Sequence, residues 1–168
     1  MQLSWKSSSV VEVRAAVEAD LPAVHVFGGA LHSESAYYSQ FRYDAQRVDA
    51  VLRAALAAHQ RDEDACFFVA QQTFPAPRPV GAFIAMLAPY WFSAETYVAD
   101  LSFYVAPEHR GGRAAMLLRA AVEAWARHKG ATSLVLGVST GINAEYTQRF
   151  YEKLGHSPVG RSFVKRLV

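Results

Sequence analysis

Cysteine is almost missing from this chain: Cys66 stands alone among 168 residues. A single thiol cannot form an internal disulfide, and its place in the strand-like run Cys66–Gln71 suits a small buried hydrophobe better than a nucleophile. Charge of either sign is not in excess. With 17 basic and 15 acidic residues the net charge is +2, too even for a nucleic-acid binder of the basic-patch kind. No run of about 18 apolar residues occurs, so no membrane span is expected. The opening Met1–Ser9 stretch has one lysine and a serine cluster but lacks the apolar centre of a signal peptide, which makes the cytoplasm the expected location. Several chemical signatures are also missing. The histidines His25, His32, His59, His109, His128 and His156 show no H-E-x-x-H or comparable spacing, so no metal is expected, and without G-x-S-x-G a classical serine hydrolase is disfavoured. Neither G-x-x-x-x-G-K-[ST] nor an N-terminal G-x-G-x-x-G is present, which argues against a nucleoside triphosphate or a dinucleotide.

What is present is a chain sized for one domain, 52% hydrophobic. A loose leader over residues 1–9 is expected, then a single domain over 10–168. Val11–Ala15 alternates as a strand, and Glu18-Ala-Asp-Leu-Pro22 opens a helix that continues toward Leu31. A second helix is predicted from about Asp44 to His59, with Val48, Val51, Leu52, Ala55 and Leu56 on one face. Cys66–Gln71 and Val80–Leu87 read as strands of a hairpin, joined by the proline-bearing loop Thr73–Pro79, and a third strand runs from Tyr97 to Val105. Further strands are predicted at Ser133–Val138 and Ser162–Val168. This order predicts an α/β (α+β) fold: a mixed, mostly antiparallel central sheet of about six to seven strands, flanked by helices on both faces.

The most informative stretch is Val105-Ala-Pro-Glu-His-Arg-Gly-Gly-Arg-Ala-Ala115. It joins the third strand to a helix whose Ala114, Leu117, Leu118, Ala121, Val122 and Trp125 recur at helical spacing, with Arg113, Arg119, Glu123 and Arg127 on the other face. Gly111 and Gly112 therefore sit at a helix mouth, where bare backbone approaches a ligand closely and unpaired N–H groups attract anions. A tight turn with two solvated arginines is the plainer reading. A second segment, Asn143-Ala-Glu-Tyr-Thr-Gln-Arg-Phe-Tyr-Glu-Lys-Leu-Gly155, reads as a short helix with Asn143 at its N-cap and Gly155 at its stop.

Together, and in this order, the two segments resemble the GCN5-related N-acetyltransferase superfamily. Its acyl-CoA loop has the form Q/R-x-x-G-x-G/A, and its later segment often reads Phe-Tyr-Glu-Lys-Leu-Gly. The looser likeness runs from about Val10 onward and looks most like the phage-type branch. Arg110 takes the first loop position and Ala115 the last, while Arg113 falls where the family usually has glycine. The neighbouring Gly112 can supply the missing freedom, and the Arg113 guanidinium can itself pair with phosphate.

The resemblance implies acetyl-CoA as cosubstrate, held by Arg110, Gly111, Gly112, Arg113, Ala114 and Ala115, with Asn143 as a further contact. It implies that the backbone of Phe103, Tyr104 and Val105 aligns pantetheine and polarises the thioester carbonyl, as fixed donors do well. It places Tyr151 beside the sulfur as general acid, a phenol of reference pKa about 10 facing a thiol near 8.5; taken alone, Tyr151 reads as a core aromatic. Asp100 matches the place where many relatives carry the base, with a structural carboxylate as the other reading, and His32 with Glu34 ranks second. The acceptor would be a small-molecule amine or a protein amino group. His32, Tyr38 and Trp91, from two aromatic stretches at His32–Tyr43 and Tyr90–Phe92, are its candidate contacts, although packing or a homodimer interface explains such stretches equally. A non-catalytic CoA-binding or interaction module is the rival reading.

Overall fold

The computed structural model describes residues 10–167, so the expected leader over residues 1–9 lies outside the described part. Strand β1 (Val11–Ala15) leads through a 3-10 turn (Glu18–Asp20) into α1 (Leu21–Glu34). After a second 3-10 turn (Tyr38–Gln40) come α2 (Ala45–Gln60), β2 (Ala65–Gln72), β3 (Arg78–Pro89) and β4 (Thr96–Val105). A third short turn (Pro107–His109) precedes α3 (Arg113–His128), β5 (Ser133–Val135) and α4 (Ala144–Lys153).

The strands lie in sequence order, β1-β2-β3-β4-β5, antiparallel except for the parallel β4–β5 pair. The sheet thus has five strands among the described residues, where six to seven were expected. One expected strand is missing and another is shortened. Residues 162–167, although rich in apolar residues, join no ladder, and Phe163 and Leu167 are almost wholly exposed. The other, predicted over Ser133–Val138, pairs only through Val135. Just beyond it, the Gly137 N–H donates to the Asp100 carboxylate at 2.8 Å instead of to a backbone carbonyl, so a side chain takes the place of the next ladder bond.

Helices cover both faces, each closing its own apolar cluster. On one face α1 and α2 bury Leu21, Val24, Phe27, Leu52 and Leu56 against Phe67, Val69 and Ile84. On the other, α3 buries Leu118, Val122 and Trp125 against Cys66, Phe83, Val98 and Val105. Each such side chain taken fully from water is worth roughly 1.5–3 kcal/mol. Cys66 is fully buried, and burial pushes its thiol up to about 12, which leaves it packing and not reacting.

One ion pair fixes the entry to α1. Burial alone would raise the Asp20 carboxyl, but two hydrogen bonds from Arg14, at 2.7 and 2.8 Å, and one from the Val17 N–H outweigh it. The carboxyl therefore sits below its usual range.

The β3–β4 register carries an irregularity that shapes the site. Ile84 faces Ser102 while Ala85 faces Asp100, so Leu101 is an extra residue on β4. This bulge puts Val98 and Asp100 on the same α3-side face as Phe103 and Val105, with Phe103 stacked on Phe83 at 4.3 Å. Tyr104 points to the opposite face, toward Phe27.

Candidate active site

Strands β4 and β5 pair only at Tyr97–Ser133, Val98–Leu134 and Ala99–Val135. From Asp100 onward β4 keeps β3 on one side and has no strand on the other among the described residues. The two strands splay, and the opening is a cavity of about 560 Å³. It runs from Asp100–Val105 past Arg110, Gly111, Gly112 and Ala115 to Asn143, Tyr146, Phe150 and Tyr151. The β4 end, the glycine turn and the α4 segment, distant in sequence, therefore meet in one hollow.

At the turn, Gly111 has φ +77°, the left-handed region that a side chain rarely adopts. A Cβ on Gly112 would lie 3.2 Å from the His109 carbonyl, tighter than ordinary contact. Gly112 is also the N-cap of α3 and supplies no side-chain cap. The opening N–H groups of a 16-residue helix are thus left for an anion. Ala114 is 1% exposed and belongs to the core, so only its backbone faces this task. Arg113, at the usual glycine position, is the first residue of α3; its side chain is exposed and does not line the cavity.

Arg110 is not a free phosphate ligand. Its Nε donates to the Val105 carbonyl at 2.9 Å, and its Nη2 pairs with Glu34 Oε2 at 2.8 Å. The Tyr104 hydroxyl donates to the other Glu34 oxygen at 2.6 Å, and the Arg110 guanidinium lies 5.1 Å from the Tyr104 ring centre. Burial and the Glu34 carboxylate push the Tyr104 phenol up to about 12. The sequence weighed Glu34 only beside His32 as a base; its partners make it a structural anion.

Asp100 and Tyr151 line the same cavity. Burial raises the Asp100 carboxyl, against the pull of the Gly137 N–H. Tyr151 is 6% exposed and lies in the wall of the cavity. Burial, and then the nearby Asp100 charge, push its phenol above the ordinary range. Both groups therefore hold their protons more tightly than an exposed carboxyl and phenol would. Behind Tyr151 the His156 ring sits at 5.6 Å and accepts from Arg119 Nε at 3.2 Å.

Asn143 is the N-cap of α4 by position, yet it takes the left-handed φ of 46° and makes no side-chain cap bond. Its amide is left to the cavity that it lines. Of the three acceptor candidates, only Tyr38 reaches this cavity, its hydroxyl 3.4 Å from Ser139 Oγ. His32 instead bonds the Phe41 carbonyl at 2.8 Å and packs on Tyr43. Trp91 is 94% exposed in the β3–β4 turn, at the far end of β4, and is not part of the cavity. Leu31, Thr140 and Tyr146 line the cavity without having been singled out, because only tertiary folding brings them there. Among the described residues no group of three His, Cys, Asp or Glu could hold a metal, and no helix is long and apolar enough to cross a membrane.

The sequence profile of the Acetyltransferase (GNAT) family matches residues 30–156, well over half of the chain and both site segments. The chain belongs to the GNAT acetyltransferase family. Its class is therefore that of an N-acetyltransferase. No curated protein sequence matches it. Among solved structures, a Trypanosoma brucei acetyltransferase is similar at 23% identity and TM-score 0.67, over 94% of this chain and 100% of that one. AAC(6')-Iy, determined with a bisubstrate analogue joining CoA to a monomethyl-acetylneamine, is similar at 19% identity and TM-score 0.71, over 94% and 98%. The glucosamine-6-phosphate N-acetyltransferase of Arabidopsis thaliana is similar at 13% identity and TM-score 0.71, over 95% and 99%. At these identities the likeness shows the GNAT fold.

Proposed function

We propose that this GNAT protein moves an acetyl group from acetyl-CoA to a primary amine by direct attack in the β4–β5 cavity. The observation that carries this reading is the meeting of Asp100 and Tyr151 in one hollow that also opens onto the uncapped start of α3.

The residues fit acetyl-CoA. The uncapped helix turn and Gly111–Gly112 offer backbone donors to its pyrophosphate, and the free edge of β4 runs from there toward Tyr151. The cosubstrate supplies an activated acetyl thioester. The Asp100 carboxylate takes a proton from the incoming ammonium, directly or through water, so that the amine can attack. Backbone N–H groups of Phe103 and Val105, which point away from β3 to the free edge, stabilise the negative charge that develops on the carbonyl oxygen. The Tyr151 hydroxyl donates its proton to the departing sulfur; its high pKa keeps that proton in place at every working pH.

The acceptor amine enters from the side of Tyr38, Ser139 and Thr140, whose phenol, hydroxyls and carbonyl groups give a polar rim to an otherwise apolar hollow. A small-molecule amine suits this rim. The chain is one domain over residues 10–168, and the acetyl group is the acyl group proposed. The test is release of free CoA from acetyl-CoA across a panel of amines, with acetylated product identified by mass. Turnover with at least one amine is expected. Tight acetyl-CoA binding with no turnover on any amine would favour the non-catalytic module instead.

A further inference from the structure

The two jaws of the cavity, the end of β4 and the loop after β5, share no ladder beyond Ala99. They are nevertheless tied on the α1 side by two consecutive residues. Glu34, the last residue of α1, holds the β4 jaw: one oxygen accepts from Tyr104 at 2.6 Å and the other from Arg110 at 2.8 Å. Arg110 in turn holds the Val105 carbonyl, which closes the 105–110 turn on itself. Ser35 holds the opposite jaw. Its hydroxyl is fully buried, donates to the Thr140 carbonyl at 2.6 Å and accepts from the Tyr38 N–H at 3.0 Å.

Consecutive Cα atoms are fixed about 3.8 Å apart, so neither residue can move without pulling the other. We propose that Glu34 and Ser35 form a clasp that sets the width of the β4–β5 cavity, acting as positioning residues for acetyl-CoA and touching neither cosubstrate nor acceptor. This rests on the acetyl-CoA reading above. It explains why a loop arginine is spent on a glutamate, and why a serine hydroxyl is wholly buried where alanine would pack. The rival account makes Glu34 a mere sink for the Arg110 charge. It predicts the reverse effect, because freeing Arg110 would then strengthen the hold on phosphate.

The experiment is calorimetric binding of acetyl-CoA to the full chain, its Glu34→Gln and Ser35→Ala variants and their double variant, with thermal melts to show that each is folded. The clasp predicts a loss of affinity on the order of tenfold for each single change, the size of ordinary coupling between contacting groups. It also predicts a double variant little weaker than the worse single one. Hydrogen exchange of residues 136–143 should rise in Glu34→Gln, although Glu34 bonds none of them. Should Ser35→Ala not fold, Tyr104→Phe removes one hydroxyl from the other jaw, and a loss of about threefold is expected. Wild-type affinity with Glu34→Gln binding as tightly as wild type, or more tightly, overturns the clasp alone. Absence of acetyl-CoA binding by the wild-type chain overturns the cosubstrate reading and the clasp with it.

Discussion

The two halves of β4 are built from similar residues and do different work. Tyr97–Ala99 is paired on both sides, by β3 and by β5, and Val98 is fully buried. Asp100–Val105 is paired by β3 alone, and its free edge borders the cavity. A backbone with both neighbours has its hydrogen bonds satisfied and can only support. Losing one neighbour leaves donors and acceptors that a ligand can use, which is how a strand of the core becomes the wall of a site.

The comparison would be tested hardest at Tyr151. Tyr151→Phe leaves the ring and removes the proton, so turnover should fall by roughly 10²- to 10⁴-fold. Acetyl-CoA affinity and melting temperature should stay near wild type. Steady-state rates with an identified acceptor check this, and unchanged turnover, with chemistry shown to limit the rate, would return Tyr151 to the core.

On the supporting side, Leu118→Ala should cost about 2–5 kcal/mol of stability, measured by denaturant unfolding, because Leu118 is fully buried beneath the sheet. Activity per folded molecule should hardly change. A large loss of activity in a protein still folded would show that core and cavity are not separable.

Asp100→Asn should lower turnover by about 10²-fold, the lower end for a proton-transfer group. The pH profile sharpens the point. Burial raises the Asp100 carboxyl, so the base is lost as pH falls through that raised value, and activity should rise with pH over a limb above the ordinary carboxylate range. The asparagine variant should lack this limb. A profile with the same limb in both proteins assigns the base elsewhere.

The smallest effect is expected at Arg113, which is exposed and outside the cavity wall. Arg113→Ala should weaken acetyl-CoA binding about two- to fivefold at low salt and less at high salt, as screening removes a surface charge. A loss much beyond tenfold would give the guanidinium a direct phosphate contact.

Legibility in the sequence followed the reach of the forces involved. The second helix, expected over Asp44–His59, is found at Ala45–Gln60, and the hairpin strands agree to within two residues at each end. Periodicity and capping are local, and one segment displays them by itself. Residues 162–167 show the reverse case, since apolar residues alone form no strand without an edge to pair with. In the site, the Gly111–Gly112 turn and Tyr151 stood out through motif and resemblance. The spending of Arg110 on Glu34, the burial of Ser35 and the left-handed Asn143 did not, because each depends on partners far along the chain or on tertiary strain. Trp91 shows the limit of composition: an aromatic cluster looks the same in sequence at either end of a strand.

The extra residue at Leu101 gives β4 two frames of alternation. Upstream of it the even positions look toward α3; downstream the odd ones do. Deleting Leu101 would merge the frames into one unbroken alternation and leave every later side chain on its present face, because Asp100 and Ser102 already lie opposite the consecutive Ala85 and Ile84. The Tyr104–Glu34 bond and the Phe83–Phe103 stack would survive, while the bend that the extra residue puts into β4 would be lost. In this protein, therefore, the extra residue shapes the bend of β4 beside the cavity and leaves the assignment of residues to the two faces untouched.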